Sequence, residues 1–504
     1  MTHDFVSYVE RTLKECQFLL DMYMIDYFVE DLWKQLLPSW QSFYGSKLKD
    51  IGSNRKSVVN LVKHILRRPR DSSAILFDSP EPLSVLALKA VIFNIELQQW
   101  KIPNTPQEIL PQMGFYELEP SNSFTNLRES LPPALRIKIK NKKEHEISRI
   151  ADITKLLINK LGPIDEIVDV GAGIGHLSRI LSLLLDKKVS TIEGDPLLVE
   201  TANILDEKVA KNLKYLSKMK KIDKSGDWDT PDRKAIYVKE EKQMGNSEGK
   251  RLLLTGLHTC GDFSATILKY FCANDDAKIL LHFGCCYHKL NNAGDKIYKD
   301  VYEGKETGVA TKGYPLSQAF SNLNLTYAAR EVACFGHEQF IAKLNDSIGK
   351  KLFFVNCYRA ILEWILLDCP KPSETHLLDG KLRHQGLRGF RGAEEMDFLQ
   401  YAEEALRDKP TMKEKFYQIL EKRPYLNEEV ERLVAAESEK NLLIYTFRLL
   451  VAPIIEAIIL RDREFYLKEQ GLPNTFLFPL FDAVLSPRNV ALISWKSKNS
   501  KEAV

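Results

Sequence analysis

The stretch Glu166-Ile167-Val168-Asp169-Val170-Gly171-Ala172-Gly173-Ile174-Gly175-His176-Leu177 constrains this chain more than any other. A short apolar run of strand type feeds into glycines at every second position, and a helical pattern opens behind them. Without Cβ atoms such a loop turns tightly and lets its backbone approach a ligand, while the helix start offers unpaired N–H groups. The segment after it keeps the same rhythm: a helix over 175–185, strands at 189–192, 235–238, 252–255 and 278–281, and helices around 197–211 and from Ser264. Strands alternating with helices predict an α/β fold, a parallel sheet covered on both faces.

The glycine spacing selects among nucleotide sites. A dinucleotide fingerprint, G-x-G-x-x-G, needs its third glycine at position 176, which is His176. The G-x-G-x-G form, with an acid two residues before it, resembles the first motif of class I S-adenosylmethionine-dependent methyltransferases. The second strand ends in Ile192-Glu193-Gly194-Asp195, and Glu193 lies 20 residues after Gly173. A carboxylate at such a strand end accepts both ribose hydroxyls of an adenosyl group. The expected cofactor residues are Asp169, which orients the loop and meets the methionine ammonium, then Gly171, Gly173, Gly175 and Glu193. Asp195 is a further candidate, with a helix N-cap as its plainer reading.

At about 100–200 residues per domain, 504 residues predict two to four domains. Hydrophobic residues at 44% and charged residues at 28% exclude collagen-like, mainly disordered and coiled-coil chains. Lys and Arg number 71 against 68 acids, so a nucleic-acid or membrane surface has to come from local clustering. Apolar residues recur at helical spacing over 5–66, with a stop at Pro38, and again over 83–97; residues 103–133 read as a loop or linker. The expected organisation is an N-terminal helical domain over 1–135, a methyltransferase core over 136–351, a helical insertion over 352–484 and a returning strand of the core within 485–499. A lone strand at 489–494 cannot stand by itself, so it rejoins the earlier sheet. Leu442 to Leu460 is apolar but holds Arg448, Pro453 and Glu456, which predicts a buried helix without stable membrane insertion. An acid at Asp4, where a signal peptide carries basic charge, and eight cysteines with two adjacent predict a reducing, intracellular setting, cytoplasmic or nuclear.

Two segments fall at the carboxyl ends of the fourth and fifth strands, where catalytic groups of such sheets gather: Gly256-Leu257-His258-Thr259-Cys260-Gly261-Asp262 and His282-Phe283-Gly284-Cys285-Cys286-Tyr287-His288. H-x-C followed by C-C-x-H is not a known zinc spacing, and adjacent cysteines rarely point at one ion, so no metal is expected. A disulfide does not suit a reducing compartment, and packing of small buried residues is the plain alternative. The functional reading is an acceptor pocket in which His258, Asp262 or His288 handles a proton while Cys260, Cys285 and Cys286 line the wall.

These two segments resemble the methyltransferase-like protein 25 family, whose shorter members are also labelled ribosomal RNA adenine dimethylase domain-containing. Further matches are Lys142-Lys143-Glu144-His145-Glu146, Gly313-Tyr314-Pro315-Leu316-Ser317, Ala333-Cys334, Asp462-Arg463, Glu469-Gln470-Gly471 and Leu485-Ser486-Pro487-Arg488-Asn489. The likeness runs from about 140 to 496 and implies a Rossmann-like class I core with a mostly parallel seven-stranded sheet, S-adenosyl-L-methionine as cofactor, and His258 in contact with it. Adenine dimethylases carry Asn, Pro and an aromatic after the fourth strand; His258-Thr259-Cys260-Gly261 stands here instead, which argues against adenine N6. This pattern is similar to that of tRNA ribose 2′-O-methyltransferases, without their zinc finger. Relatives tend to place an aspartate for the adenine amine after the third strand, where this chain has Lys239-Glu240; Glu240 is the candidate substitute.

Three functional readings follow. An RNA methyltransferase is the first, supported by basic runs over 136–160 and 211–224 that could neutralise phosphates. A protein methyltransferase is the second, with Arg383, Arg388 and Arg391 of the insertion available to dock a partner. The third is a cofactor-binding scaffold. In either enzyme, Asp262 and His288 are the expected bases, with a covalent cysteine route as the alternative.

Overall fold

The structure is a computed structural model, described here for residues 2–52, 55–67, 81–96, 102–116, 123–185, 187–222, 228–238, 244, 249–290, 313–345, 347–370, 373 and 392–497. They divide into two units. One unit takes the described residues before 98 together with Leu325–Glu456; the other takes those between 98 and 292, 313–324 and 457–497.

The second unit is built on seven strands: β1 (Glu166–Val170), β2 (Lys188–Glu193), β3 (Asp232–Ala235), β4 (Leu252–Cys260), β5 (Ala277–Cys285), β6 (Thr475–Pro479) and β7 (Val490–Trp495). Their order is β3-β2-β1-β4-β5-β7-β6, with β1 to β5 parallel and β7 antiparallel to both neighbours. This is the mostly parallel seven-stranded α/β sheet expected from sequence. Its central strands are apolar throughout because helices cover both faces; β1 is buried at every position. Those helices, numbered within this unit, are α1 (Asn141–Leu161), α2 (His176–Leu184), α3 (Pro196–Lys218) and α4 (Asp262–Ala273). The order reverses between β1 and β4, and the crevice at their carboxyl ends is where ligands of open α/β sheets bind.

Four details differ from the sequence reading. β3 spans Asp232–Ala235, three residues before the expected run, because the apolar Ile236 and Val238 lie beyond the pairing with β2. β6 falls within the segment expected to be helical; flanked by Pro473 and Pro479, it pairs only with β7. Residues 103–133 are no linker: Ile109, Leu110, Met113, Leu127 and Leu131 join Ile147, Ile150 and Leu157 of α1 in a core that includes Ile167 of β1. The unit boundary therefore falls near 97 rather than 135.

The first unit is helical. Pro38 ends one apolar series but opens the helix Pro38–Ile51, where its missing N–H costs nothing. Phe447 packs between Trp40 and Tyr44, with ring centroids at 4.9 and 4.8 Å. The helix α5 (Leu426–Glu469) begins in this unit. It is long and apolar enough to cross a membrane, yet its most apolar window is 83% buried inside the protein. Arg448 is buried within it and donates to the Ala328 carbonyl at 3.0 Å.

Candidate active site

The glycine loop occupies the crevice. Gly171, Gly173 and Gly175 all take positive φ. A Cβ at Gly175 would lie 2.2 Å from the Arg233 guanidinium of β3, so a hydrogen is needed there. Arg233 is fixed in turn, donating to Asp206 of α3 at 2.7 Å and to Ser178 Oγ of α2 at 2.9 Å; Arg179 donates to the same Asp206 at 2.6 Å. Gly173 differs, because nothing lies within 4 Å of where its Cβ would be. The loop apex thus faces open space while its base is packed.

Glu193 closes that loop from β2. One carboxylate oxygen accepts the Gly173 N–H at 2.7 Å and the other the Asp195 N–H at 3.1 Å. Asp169 sits behind the loop rather than in the crevice: it is fully buried and accepts the Ser178 N–H at 3.2 Å. Burial pushes its carboxyl up to about 6, against the lowering effect of Arg233. This placement orients the start of α2, as expected, but holds the carboxylate on Ser178 instead of turning it toward an ammonium group. Asp195 is the N-cap of α3, accepting from Leu197 N–H at 2.9 Å. His176 is buried on α2, and burial with the charge of Lys143 lowers it to about 4. Glu240 lies outside the described residues.

The two cysteine motifs lie on the strand ends themselves, since β4 runs through Cys260 and β5 through Cys285. Their pairing slips between Leu257 and Thr259, and His258 in that bulge has φ 64°. Positive φ is uncommon for a side chain of this size and collects at functional sites. His258 Nε2 lies 3.3 Å from Glu146 Oε2 of α1, and Ser486 Oγ donates to Glu146 Oε1 at 2.6 Å. Burial alone would raise the Glu146 carboxyl, but the contacts with His258, Ser486 and Lys142 outweigh it and hold it below the usual carboxylate range. Thr259 Oγ1 lies 2.6 Å from His282 Nε2, and burial lowers His282 to about 3, which keeps its ring neutral and able to accept the threonine proton.

Behind them the loops touch. The Gly261 N–H donates to the Cys285 carbonyl at 3.1 Å, and a Cβ at Gly261 would stand 2.5 Å from the Lys289 carbonyl oxygen. Cys260 Sγ lies 3.2 Å from Cys285 Sγ and 3.1 Å from Cys286 Sγ. The three sulfurs form one cluster, contrary to the expectation that adjacent cysteines diverge. The reason is local: Cys286 follows the last residue of β5 and takes φ 51°, so the alternation of an extended strand no longer applies. Asp262 opens α4 as an acid in its first turn, and His288 is half-buried in the single turn Tyr287–Lys289.

Sequence reasoning passed over Glu146, Ser486 and Arg488 as functional residues. Arg488 lies 5.7 Å over the Tyr287 ring, so Leu485-Ser486-Pro487-Arg488-Asn489 serves both post-strand motifs. The signal for Glu146 is visible in retrospect: it shares the α1 face of Ile150, Ile153 and Leu157, where a charge has no place unless it is paired. The basic runs also separate. Lys138, Lys140, Lys142 and Lys143 are exposed, and Lys142 Nζ comes within 3.7 Å of Glu146. Lys211, Lys214 and Lys218 are exposed at the far end of α3, whose first turn is the one near the glycine loop. At ~1.5 Å per residue they stand some 20–30 Å away, so this second cluster does not flank the site. Arg383, Arg388 and Arg391 lie outside the described residues.

Comparison with known proteins agrees with this geometry. A family model described as a methyltransferase domain matches residues 142–293, which include the glycine loop, Glu146 and both cysteine motifs. The chain is 30% identical over 253 residues to "Probable methyltransferase-like protein 25" of Homo sapiens, covering 49% of this chain and 37% of that protein. It is 28% identical over 251 residues to the Mus musculus protein of the same name, 49% and 38% of the respective lengths. The match thus spans less than two-fifths of these curated relatives.

Proposed function

We propose that this chain, which carries a methyltransferase domain related to methyltransferase-like protein 25, is an S-adenosyl-L-methionine-dependent methyltransferase acting on RNA. The observation that carries the cofactor assignment is the Glu193 carboxylate bound to the Gly173 N–H, at the rim of a loop whose apex opens into free space. A ribose there can meet Glu193, and the backbone of Gly171 to Gly175 can follow the rest of the donor. A bound sulfonium donor supplies an electrophilic methyl group.

The chain's own residues supply orientation and a base. Transfer from a sulfonium needs alignment of the acceptor and removal of its proton. His258 fits that task better than Asp262 or His288: it is partly exposed, and a buried carboxylate holds one ring nitrogen. Glu146 fixes the ring and stabilises its charged form once the proton arrives. Lys138, Lys140, Lys142 and Lys143 beside the same crevice favour a polyanionic acceptor.

The test is transfer of tritiated methyl from labelled donor into cell extract, followed by RNase or protease digestion. Label that survives protease and is lost to RNase is the expected result, with Glu193→Ala abolishing both donor binding in calorimetry and transfer. Label lost to protease alone means a protein acceptor. A wild-type chain that binds neither donor nor its demethylated product overturns the cofactor assignment.

A further inference from the structure

Cys260, Cys285 and Cys286 form a compact triangle, with sulfur separations of 3.2, 3.1 and 3.8 Å. Three sulfurs from two different strand ends are more than a disulfide uses and closer than packing alone requires. In a tetrahedral zinc–thiolate site with Zn–S ≈ 2.3 Å, neighbouring sulfurs stand about 3.8 Å apart. The centre of the triangle is about 2 Å from each sulfur, so an ion just off its plane reaches all three at that bond length. The backbone sustains the arrangement: the Gly261–Cys285 hydrogen bond clamps the two strand ends, and the left-handed Cys286 turns its thiol to the other two. Cys285 is buried while Cys260 and Cys286 are partly exposed, which leaves an approach to the fourth corner.

We propose that Cys260, Cys285 and Cys286 bind one zinc ion through three thiolates, tying the end of β4 to the end of β5 beside His258. The thiols lose their protons to solvent as the ion binds, and the fourth position takes water or another donor. This assignment is independent of the methyl acceptor and of the donor, since its readout is metal.

The experiment uses the full chain purified without chelator. Elemental analysis by mass spectrometry is expected to find about one zinc per chain. Replacement with cobalt(II) is expected to give intense thiolate-to-metal absorption in the near ultraviolet and visible bands of tetrahedral type. Cys260→Ser, Cys285→Ser and Cys286→Ser each weaken metal binding by more than about tenfold, whereas Cys272→Ser leaves it unchanged. Should the variants not fold, alkylation of the intact wild-type chain decides: zinc is expected to protect these three thiols together, and a chelator to expose them together. Substoichiometric zinc without a cobalt–thiolate band, a disulfide among the three in freshly reduced protein, a different resident metal, or equal alkylation with and without zinc would each overturn the proposal.

Discussion

At the residue scale, Glu146 and His258 show how burial and pairing prepare a side chain. Glu146 is buried with no exposed surface, and an unpaired charge there would be expensive. The contacts with His258 and Ser486 remove that cost and hold the carboxyl ionised. Because its pKa in the folded chain lies below the unfolded value, its contribution is present above that unfolded value and is lost on acidification through the folded one. Glu146→Gln keeps the shape and removes the charge. The expected outcome is a fall in methyl transfer of roughly 10- to 100-fold with donor affinity unchanged, together with a flatter loss of stability under acid. Donor titration and transfer rates on one preparation separate the two effects; an unchanged rate would release His258 from the role of base.

At the scale of elements, the two post-strand loops behave as one part. Gly261 has φ 57° and no room for a methyl group against the Lys289 carbonyl. Gly261→Ala must strain the backbone and push β4 from β5, which costs on the order of 2 kcal/mol or more. Gly173→Ala is the informative contrast. Space is open there, so only its positive φ is opposed, at about 1 kcal/mol, while a methyl group intrudes where a ligand would approach. Denaturation midpoints are expected to fall more for Gly261→Ala, and calorimetric donor affinity more directly for Gly173→Ala. A reversed order would show that the loop apex, not the loop contact, carries the structural constraint.

At the scale of the whole molecule, the sheet unit is discontinuous. β6 and β7 arrive after the helical segment, and Asp462 and Arg463 at the end of α5 strap 313–317 into the same unit: Asp462 accepts from Leu316 and Ser317 N–H groups at 2.9 and 2.8 Å, and Arg463 donates to the Gly313 carbonyl at 3.1 Å. Ending the chain at Pro473 removes both strands, uncovers β5 and deletes Ser486. Such a chain is expected to lose its cooperative thermal transition for the sheet unit and its donor binding, checked by near-ultraviolet circular dichroism and calorimetry. Retention of both would mean that β1 to β5 suffice.

What could be read from the sequence were features whose cause is local. The glycine loop, Glu193 and the alternation of strand with helix depend on short-range spacing, and each stands where spacing put it. The strand Val490–Trp495 was also legible, because a single apolar strand requires a neighbour. Tertiary structure decided what depends on distant partners. Nothing near Glu146 in the chain shows that Ser486, 340 residues away, answers one of its oxygens and His258 the other. Nor does the order of Cys285 and Cys286 show that a left-handed residue turns both toward Cys260. Periodicity reports which face of an element is buried; which buried groups meet is set only when the sheet brings its strand ends together.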